Sequence, residues 1–216
     1  MKPRPKKPSQ APQPLSPERI VAAALEEIAA VGLAAFSTRK LGQRLGCEAM
    51  SIYHHFAGKR HLLDALVDHA LGSIEWGSPG LAPVDQLRAT MYAYRAMAHR
   101  FPALYPLIAL HRLNTETGVR VIERMLRQVQ AVAGDPEKAA RHFRTLGYYL
   151  TGAALDETAG YARGPSAAEP VSDAYIAREC PTLAAAARYF QHSEWDVTFA
   201  LGVDAMLAAV VRDAAS

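Results

Sequence analysis

Apolar side chains recur every three or four residues along most of the chain, a spacing typical of amphipathic α-helices. The first such stripe follows Ser16 and Pro17, an N-cap residue and a proline at the first helical position, and Gly32 closes it. Its members are Val21, Ala24, Leu25, Ile28 and Ala29. No segment shows the strict alternation of a β-strand. The sequence therefore predicts an all-α fold of about ten helices.

Glycine, proline and asparagine interrupt this pattern and separate the helices. After the first helix, the predicted segments are 38–45, 49–56, a longer helix from Gly58, 83–99, 102–113, 116–133, 136–162, 173–190 and 193–213. The strongest interruption is the run Gly-Ser-Pro-Gly at 77–80, which predicts a domain boundary. Residues 16–76 and 81–216 are then two helical domains, and 164–172, rich in Gly, Pro, Ser and Ala, is a mobile loop.

Composition excludes several classes of protein. Half of the 216 residues are hydrophobic, which suffices for a core and excludes wholesale disorder. The two cysteines, Cys47 and Cys180, form neither a disulfide framework nor a four-cysteine zinc site. No apolar run approaches the ~20 residues of a membrane span, and the N-terminus lacks the apolar region of a secretory signal. We expect a reduced, cytoplasmic protein with no membrane partner.

The excess positive charge lies ahead of the first helix. The net charge is +3, yet residues 16–75 carry six Lys or Arg against seven Asp or Glu, and residues 76–216 carry fourteen of each. Residues 1–15 hold five prolines and four cations, which are Lys2, Arg4, Lys6 and Lys7. This segment is predicted to be a flexible basic arm that either follows a DNA minor groove or is a solvated tail.

The second and third predicted helices have the spacing of a helix-turn-helix motif. Counted from Thr38, Gly42 is the fifth residue, where the helices cross, and Gly46 is the ninth, where the turn favours a left-handed backbone. Ile52 is the fifteenth and points into the core. The outer face of the third helix carries Met50, Ser51 and His54, with Tyr53 at its flank. Spacing alone leaves open a DNA-reading motif and an ordinary helical hairpin.

The residues of these helices and of the start of the fourth resemble the DNA-binding domain of the tetracycline repressor (TetR) family. The resemblance covers 17–75 and is most specific in the run Tyr-x-His-Phe-x-x-Lys-x-x-Leu-Leu that begins at Tyr53. Two later segments, 145–157 and 199–207, are similar to the dimer-forming helices of the tetracycline-repressor branch. The resemblance implies a homodimer that represses transcription at a palindromic operator and releases it on binding a small molecule.

The resemblance also implies which residues contact double-stranded operator DNA. Arg39 stands in the place of a base-reading arginine and Lys59 in that of a phosphate-binding lysine, and both side chains suit these roles. Ala49 and Met50 stand where polar base-reading residues are common, so the operator sequence does not follow from the family. The predicted DNA-binding set is Thr38, Arg39, Ala49, Met50, Ser51, Tyr53, His54 and Lys59.

The second domain is expected to hold the dimer interface. Small or apolar residues in the two segments similar to the dimer helices would let helices of two protomers approach closely. Packing within one protomer is the alternative for part of this set. The predicted interface consists of Gly147, Thr151, Ala154, Leu155, Gly202, Met206 and Val210.

Aromatic and polar residues of the second domain are the candidates for effector binding, because together they could line an apolar cavity with a few polar groups. The predicted set is Tyr92, Arg95, His99, His111, Tyr148, Tyr149 and Asp156. Since the domain has no net charge and is rich in Tyr, Phe and Leu, we expect a mostly apolar or aromatic effector. In the tetracycline branch a histidine helps to hold the magnesium ion, and no histidine here aligns securely with it, so neither metal nor tetracycline is carried over and no cofactor is predicted.

Three other functions were open to a chain of this composition. A redox-responsive regulator would act through Cys47, in the turn between the second and third helices. A helical interaction protein without DNA binding would not need the cations Arg39, Lys40, Arg44, Lys59 and Arg60. An enzyme is not predicted, because the sequence contains no Gly-x-Ser-x-Gly elbow, phosphate loop or dinucleotide fingerprint.

Overall fold

The computed structural model describes residues 14–159 and 167–216, and within these ranges every regular element is helical, as predicted. The α-helices are α1 Pro17–Val31, α2 Thr38–Leu45, α3 Ala49–Tyr53, α4 Lys59–Gly72, α5 Pro83–Arg100, α6 Tyr105–Leu110, α7 Glu116–Ala133, α8 Pro136–Ala159, α9 Asp173–Glu179, α10 Pro181–Ala186 and α11 Trp195–Ala214. Short 3-10 helices cover Leu33–Ala35, Ala187–Phe190 and His192–Glu194. None of the described helices is long and apolar enough to cross a membrane.

Three predicted segments differ from the structure. The third helix ends at Tyr53, before the predicted end at 56. The segment 102–113 is helical only over Tyr105–Leu110, because a turn follows the end of α5. The segment 173–190 breaks at Cys180, since Pro181 has no amide hydrogen with which to continue the helix.

Two predictions fall on segments that are described only in part. Residues 1–13 of the predicted arm lie outside the described residues. So do residues 164–166 of the predicted loop, and its remainder, 167–172, contains no helix. Nothing tests the proposed mobility of the loop or the DNA contact of the arm, and both stay predictions.

The chain divides into two compact units, Met1–Leu66 and Val67–Ser216, and the division falls inside α4. In the first unit, α1, α2, α3 and the first turns of α4 share one core. Its buried side chains include Ile20, Ala24, Ile28, Phe36, Leu41, Ile52, Leu62 and Leu66. The functional ranges 1–15, 16–76 and 81–216 stay predictions.

In the second unit, α5, α7, α8 and α11 pack against one another around a shared core. The buried side chains of this core include Leu87, Met91, Val129, Leu146, Leu150, Phe199, Val203, Leu207 and Val210. The short helices α9 and α10 contain no buried residue. The four long helices therefore provide the framework on which an internal site of this unit is built.

Gly42 lies at the crossing of α2 and α3. A Cβ atom there would lie 2.8 Å from the carbonyl oxygen of Cys47 and 3.2 Å from the amide nitrogen of Ala49. Gly46 adopts the left-handed conformation, with φ 70° and ψ 31°, and the Cys47 amide donates to the Gly42 carbonyl at 2.9 Å. The roles predicted for both glycines are confirmed: Gly42 permits the close crossing and Gly46 makes the turn.

We expect Gly42→Ala to lower the free energy of unfolding by about 2 kcal/mol, because the new methyl group would meet backbone atoms that can move only with their helices. Gly72→Ala is the matched control, since no atom lies within 4 Å of a Cβ at that position and little change is expected. Urea denaturation followed by circular dichroism measures both variants. Equal stabilities would contradict the close contact at Gly42.

Candidate DNA-binding surface and effector cavity

The outer face of α3 is exposed, whereas its inner face is anchored in the core. Ile52 is fully buried, and Met50, on the opposite side, exposes 63% of its surface. His54 and Arg39 are also exposed, while Ala49 and Ser51, also in the predicted DNA-binding set, are half-buried. Arg39 and the neighbouring Lys40 make no ion pair within the described residues. This surface therefore offers both an apolar contact and uncompensated positive charge.

Two hydroxyl groups of the predicted set bind each other. The Thr38 and Tyr53 oxygens lie 3.0 Å apart, which joins the start of α2 to the end of α3. The Ser37 hydroxyl accepts a hydrogen bond from the Lys40 amide and caps α2. The contact between Thr38 and Tyr53 fixes the position of one helix on the other.

Lys59 occupies the start of α4, and its ammonium group is turned towards the loop before α2. Its Nζ donates a hydrogen bond to the carbonyl oxygen of Phe36 at 3.1 Å and lies 5.5 Å from the centre of the Phe36 ring. Lys59 remains exposed overall. In the described structure it therefore stabilises the first unit, and its predicted phosphate contact stays a prediction.

Arg44 does not contribute free charge to this surface. Its guanidinium lies 2.7 Å from a Glu26 oxygen and 3.6 Å from a Glu27 oxygen, so it joins α2 to α1. The sequence interpretation counted Arg44 among the cations that favour DNA binding, and the structure corrects this: its charge is matched by two carboxylates. The pairing of α2 with α1 was not visible in the sequence because Arg44 and the two glutamates belong to different helices.

The second unit contains a cavity of about 110 Å³ between α5, α7 and α8. Among the described residues, none that lines it is charged. The lining consists of Leu87, Thr90, Met91, Tyr94, Leu113, Val121, Ile122, Met125, Val129, Phe143, Leu146, Gly147, Leu150 and Thr151. A concave, mostly apolar space with a few polar groups is the ordinary form of a small-molecule site.

The polar groups of this cavity come from α5 and α8. The hydroxyl groups of Tyr94 and Tyr105 are 3.2 Å apart, and both also bind the hydroxyl of Thr151. Burial raises the pKa of Tyr94 and of Tyr105, so both hydroxyl groups stay protonated at neutral pH. Thr90 is fully buried, and its Oγ1 has no hydrogen-bond partner in the part of the chain that the structure describes.

A second, open cleft of about 440 Å³ lies between α5 and the start of α11. Arg95 is nearly buried there and donates to Glu157 and to Asp196, both at 2.7 Å. His99 Nε2 lies 2.6 Å from the same Glu157 oxygen. The hydrogen bond from Arg95 holds the pKa of Asp196 below its ordinary value. Two carboxylates therefore compensate the single guanidinium of this cleft.

The structure divides the predicted effector residues instead of gathering them at one site. Tyr92, Arg95 and His99 line the cleft, and no member of the predicted set lines the cavity. Tyr148 is 65% exposed and accepts a hydrogen bond from Arg144. The prediction missed Thr90, because a single threonine on a helix gives no signal that it lines a cavity and that its hydroxyl has no partner within the described residues.

The remaining predicted effector residues have other positions. Tyr149 stacks on the Phe199 ring and donates to the Phe199 carbonyl oxygen at 2.8 Å, so it joins α8 to α11. His111 and Asp156 line neither the cavity nor the cleft. Among the described residues, no three His, Cys, Asp or Glu side chains come together as a metal site.

Five predicted interface residues pack within the protomer, the alternative that the sequence left open for part of this set. Ala154 and Val210 are buried in the protomer. Gly202 lies against Tyr149, whose ring would overlap a Cβ at that position. Gly147 and Thr151 line the cavity, and the other two, Leu155 and Met206, are half-buried. The large apolar side chains that α8 and α11 expose are Tyr148, Val197, Leu201 and Val211.

The protein is all-α and has an exposed helix-turn-helix surface and an internal cavity. Two family models match its sequence. The model described as "Bacterial regulatory proteins, tetR family" matches residues 20–66, and that described as "Tetracyclin repressor-like, C-terminal domain" matches residues 84–212. The second match alone covers more than half of the chain. The chain belongs to the TetR family, and the resemblance seen in the sequence is confirmed.

Characterised relatives match nearly the full chain. The tetracycline repressor protein class A from transposon 1721 of Escherichia coli is 28% identical over 92% of this chain and 91% of its own length. The class G tetracycline repressor of Vibrio anguillarum is 26% identical over 89% and 92% of the two chains. The structure is similar to that of ActR from Streptomyces coelicolor in complex with actinorhodin, with a TM-score of 0.73, 27% identity and coverage of 94% and 100%.

These matches define the kind of protein. It is a ligand-responsive transcriptional repressor and not an enzyme. Repressors of this family bind operator DNA, form dimers and bind small molecules, and these are the partners that the sequence predicted.

We expect Glu157→Gln to lower the free energy of unfolding by about 2–3 kcal/mol, because Arg95 would then keep its charge in a mostly buried place beside a neutral amide. Asp196→Asn is the matched control: it removes the exposed partner of the same guanidinium and should leave the stability almost unchanged. Urea denaturation of both variants measures the difference. A larger loss for Asp196→Asn would contradict the structural role of Glu157.

Proposed function

We propose that this repressor acts in the cytoplasm as a dimer on a palindromic operator, that α2 and α3 contact the DNA, and that an effector bound in the cavity between α5, α7 and α8 releases it. The proposed DNA contact is supported by the exposed outer face of α3, which lies beside cations of α2 that make no ion pair within the described residues. The observation that supports the effector site is the apolar cavity in the second unit. The relatives support the proposal that an effector releases the repressor from DNA: two are tetracycline repressors, and the structure of ActR was solved in complex with actinorhodin.

In this proposal the two helices have different tasks on the DNA. Arg39, exposed in the first turn of α2, hydrogen-bonds a guanine edge, and Met50 and Ala49 contact thymine methyl groups. Ser51, Tyr53 and His54 contact the backbone or base edges beside them. Lys59 exchanges its hydrogen bond to the Phe36 carbonyl for a phosphate, and Thr38 supports Tyr53.

We expect Arg39→Ala to weaken operator binding by about 1–3 kcal/mol and to relax the preference for one base pair in each half-site. Lys40→Ala is the matched control, because it removes an equally exposed charge from the adjacent position and should weaken operator and random DNA alike. Selection from a random DNA library provides the operator, and fluorescence anisotropy at several salt concentrations measures both variants. Equal losses on both DNAs for Arg39→Ala would remove its base-reading role.

The exposed apolar residues of α8 and α11 support a dimer contact on one face of the second unit. On α11, Val197 and Leu201 expose about two thirds of their surfaces, and the exposed Ala205 and Ala208 follow at helical spacing. Exposed apolar side chains in one stripe with small residues let two helices of a partner pack closely. In this proposal Leu155 and Met206 lie at the edge of the same contact.

We expect Leu201→Glu to convert the dimer into monomers, because the new carboxylate would lose its hydration inside the interface without a counter-charge. Val119→Glu, at an exposed position of α7, is the matched control and should leave the dimer intact. Light scattering at micromolar concentration distinguishes the chain mass of 23.4 kDa from twice that value. A dimer that survives Leu201→Glu would move the interface to another face.

The proposed release depends on α4, a single helix that contributes residues to both units. Within the second unit, the Thr115 hydroxyl at the start of α7 donates to Asp68 of α4 at 2.5 Å. Val121, Ile122 and Met125 of α7 line the cavity, so an effector that displaces α7 changes the position of Asp68. Half-sites on DNA are about 34–36 Å apart, and a change in the spacing of two reading helices loses contacts. An effector that prefers the displaced state a hundredfold supplies about 2.7 kcal/mol.

A further inference from the structure

The residues that line the cavity restrict the chemical class of the effector more narrowly than membership of the family does. Eleven of the fourteen lining residues offer only apolar surface, and the polar side chains are Thr90, Tyr94 and Thr151. Tyr94 and Thr151 already belong to one hydrogen-bonded group with Tyr105. Thr90 is the polar group whose oxygen has no partner within the described chain.

The buried hydroxyl of Thr90 is unusual for a threonine in a helix. Such a hydroxyl ordinarily donates to the carbonyl oxygen one turn earlier, as Thr158 does to Ala154 at 2.6 Å. Thr90 is 0% exposed, lines the cavity and makes no such bond. A buried polar group without a partner destabilises a protein, and most native structures satisfy it. The geometry is therefore suited to a polar atom of a bound molecule.

A charged molecule does not suit this cavity. Within the described structure no Lys, Arg, His, Asp or Glu lines it, and the tyrosine hydroxyl groups remain protonated. An ionised ligand would lose its hydration without gaining a counter-charge, which costs far more than a neutral polar group that forms one hydrogen bond. The open cleft differs in this respect, because Arg95 and Asp196 line it.

From these observations we infer that the effector is an uncharged, mostly apolar molecule that places a ring in the cavity and one hydroxyl or carbonyl oxygen against Thr90. The inference rests on the proposed function, because it takes the cavity as the effector site. The space of about 110 Å³ is slightly smaller than a dry cavity of about 150 Å³ that accepts benzene. One ring therefore fills it, and a larger effector extends beyond the present wall.

The test compares three molecules that share a methyl-substituted benzene ring: p-cresol, toluene and 4-methylbenzoate, which is ionised at pH 7. The chain has six methionines, of which Met91 and Met125 line the cavity and Met50 is exposed on the first unit. In the full-length protein with 13C-labelled methionine methyl groups, p-cresol and toluene should shift the Met91 and Met125 signals and leave Met50 unchanged. 4-Methylbenzoate should shift none of the three.

Thr90→Val tests the hydrogen bond, because valine keeps the shape of threonine without its hydroxyl. Its affinity for p-cresol should fall about tenfold, while that for toluene stays the same. Thr90→Ser keeps the hydroxyl and should therefore prefer p-cresol over toluene as the wild type does. Thr158→Val removes a hydroxyl that is bonded within α8 and should leave this preference unchanged. Since Thr90→Val removes an unpaired buried hydroxyl, its thermal midpoint without ligand should be at least that of the wild type.

Three outcomes would overturn the inference: shifts with 4-methylbenzoate as large as with p-cresol, no shift of Met91 and Met125 with any compound, or an unchanged preference in Thr90→Val. Operator release is measured separately, by anisotropy of labelled operator DNA at saturating p-cresol. Cavity binding with the predicted preference but without release would support the inference and contradict the proposed coupling. Release without a Met91 or Met125 shift would support the repressor and overturn the cavity as its effector site.

Discussion

The packing of α5, α7 and α8 leaves a gap at the point where protein interiors are normally filled. Large side chains such as Phe143 and Met91 line this gap, together with two small residues, Gly147 on α8 and Thr90 on α5, that fill little of it. Atoms that line a void lose dispersion contacts, and the unpaired Thr90 hydroxyl adds a further cost. A molecule that fills the gap and binds this hydroxyl recovers both contributions. The stability of the second unit is in this way linked to ligand binding, which a regulator requires.

The first unit differs from the second, because close contacts hold its helices in fixed positions. Gly42 allows α2 to lie directly against the turn before α3, and Thr38 and Tyr53 join the two helices on the outer side. Two glutamates of α1 hold Arg44. The charge of Arg44 therefore makes the unit more rigid and is not free to contact DNA. A surface that reads DNA by hydrogen bonds needs such rigidity, since a small displacement loses the geometry of every contact.

The sequence predicted the helices where the signals are local. The helix at 116–133 was located to the residue because Thr115 caps it and Gly134 ends it, and the crossing at Gly42 followed from spacing. It did not predict which side of a helix faces a void. Tyrosine is a residue type typical of ligand contacts, yet Tyr149 stacks on Phe199. Alanine is typical of close helix interfaces, yet Ala154 is buried within the protomer. Both assignments depend on contacts between distant segments, which residue type and periodicity do not encode.

In the proposed mechanism, α7 is the element that connects the cavity to α4. Its first turn is tightly held, because a Cβ at Gly118 would lie 2.9 Å from the backbone of Leu113. The Thr115 hydroxyl accepts from the Gly118 amide at 3.0 Å and donates to Asp68, so one oxygen joins the cap of α7 to α4. One turn further on, Val121 and Ile122 line the cavity. A helix that is rigid at this end moves as a body when a ligand displaces its lining residues, and Asp68 must then follow or lose its hydrogen bond. If Asp68 follows, α4 changes position; if it does not, α4 loses a contact that holds it to α7.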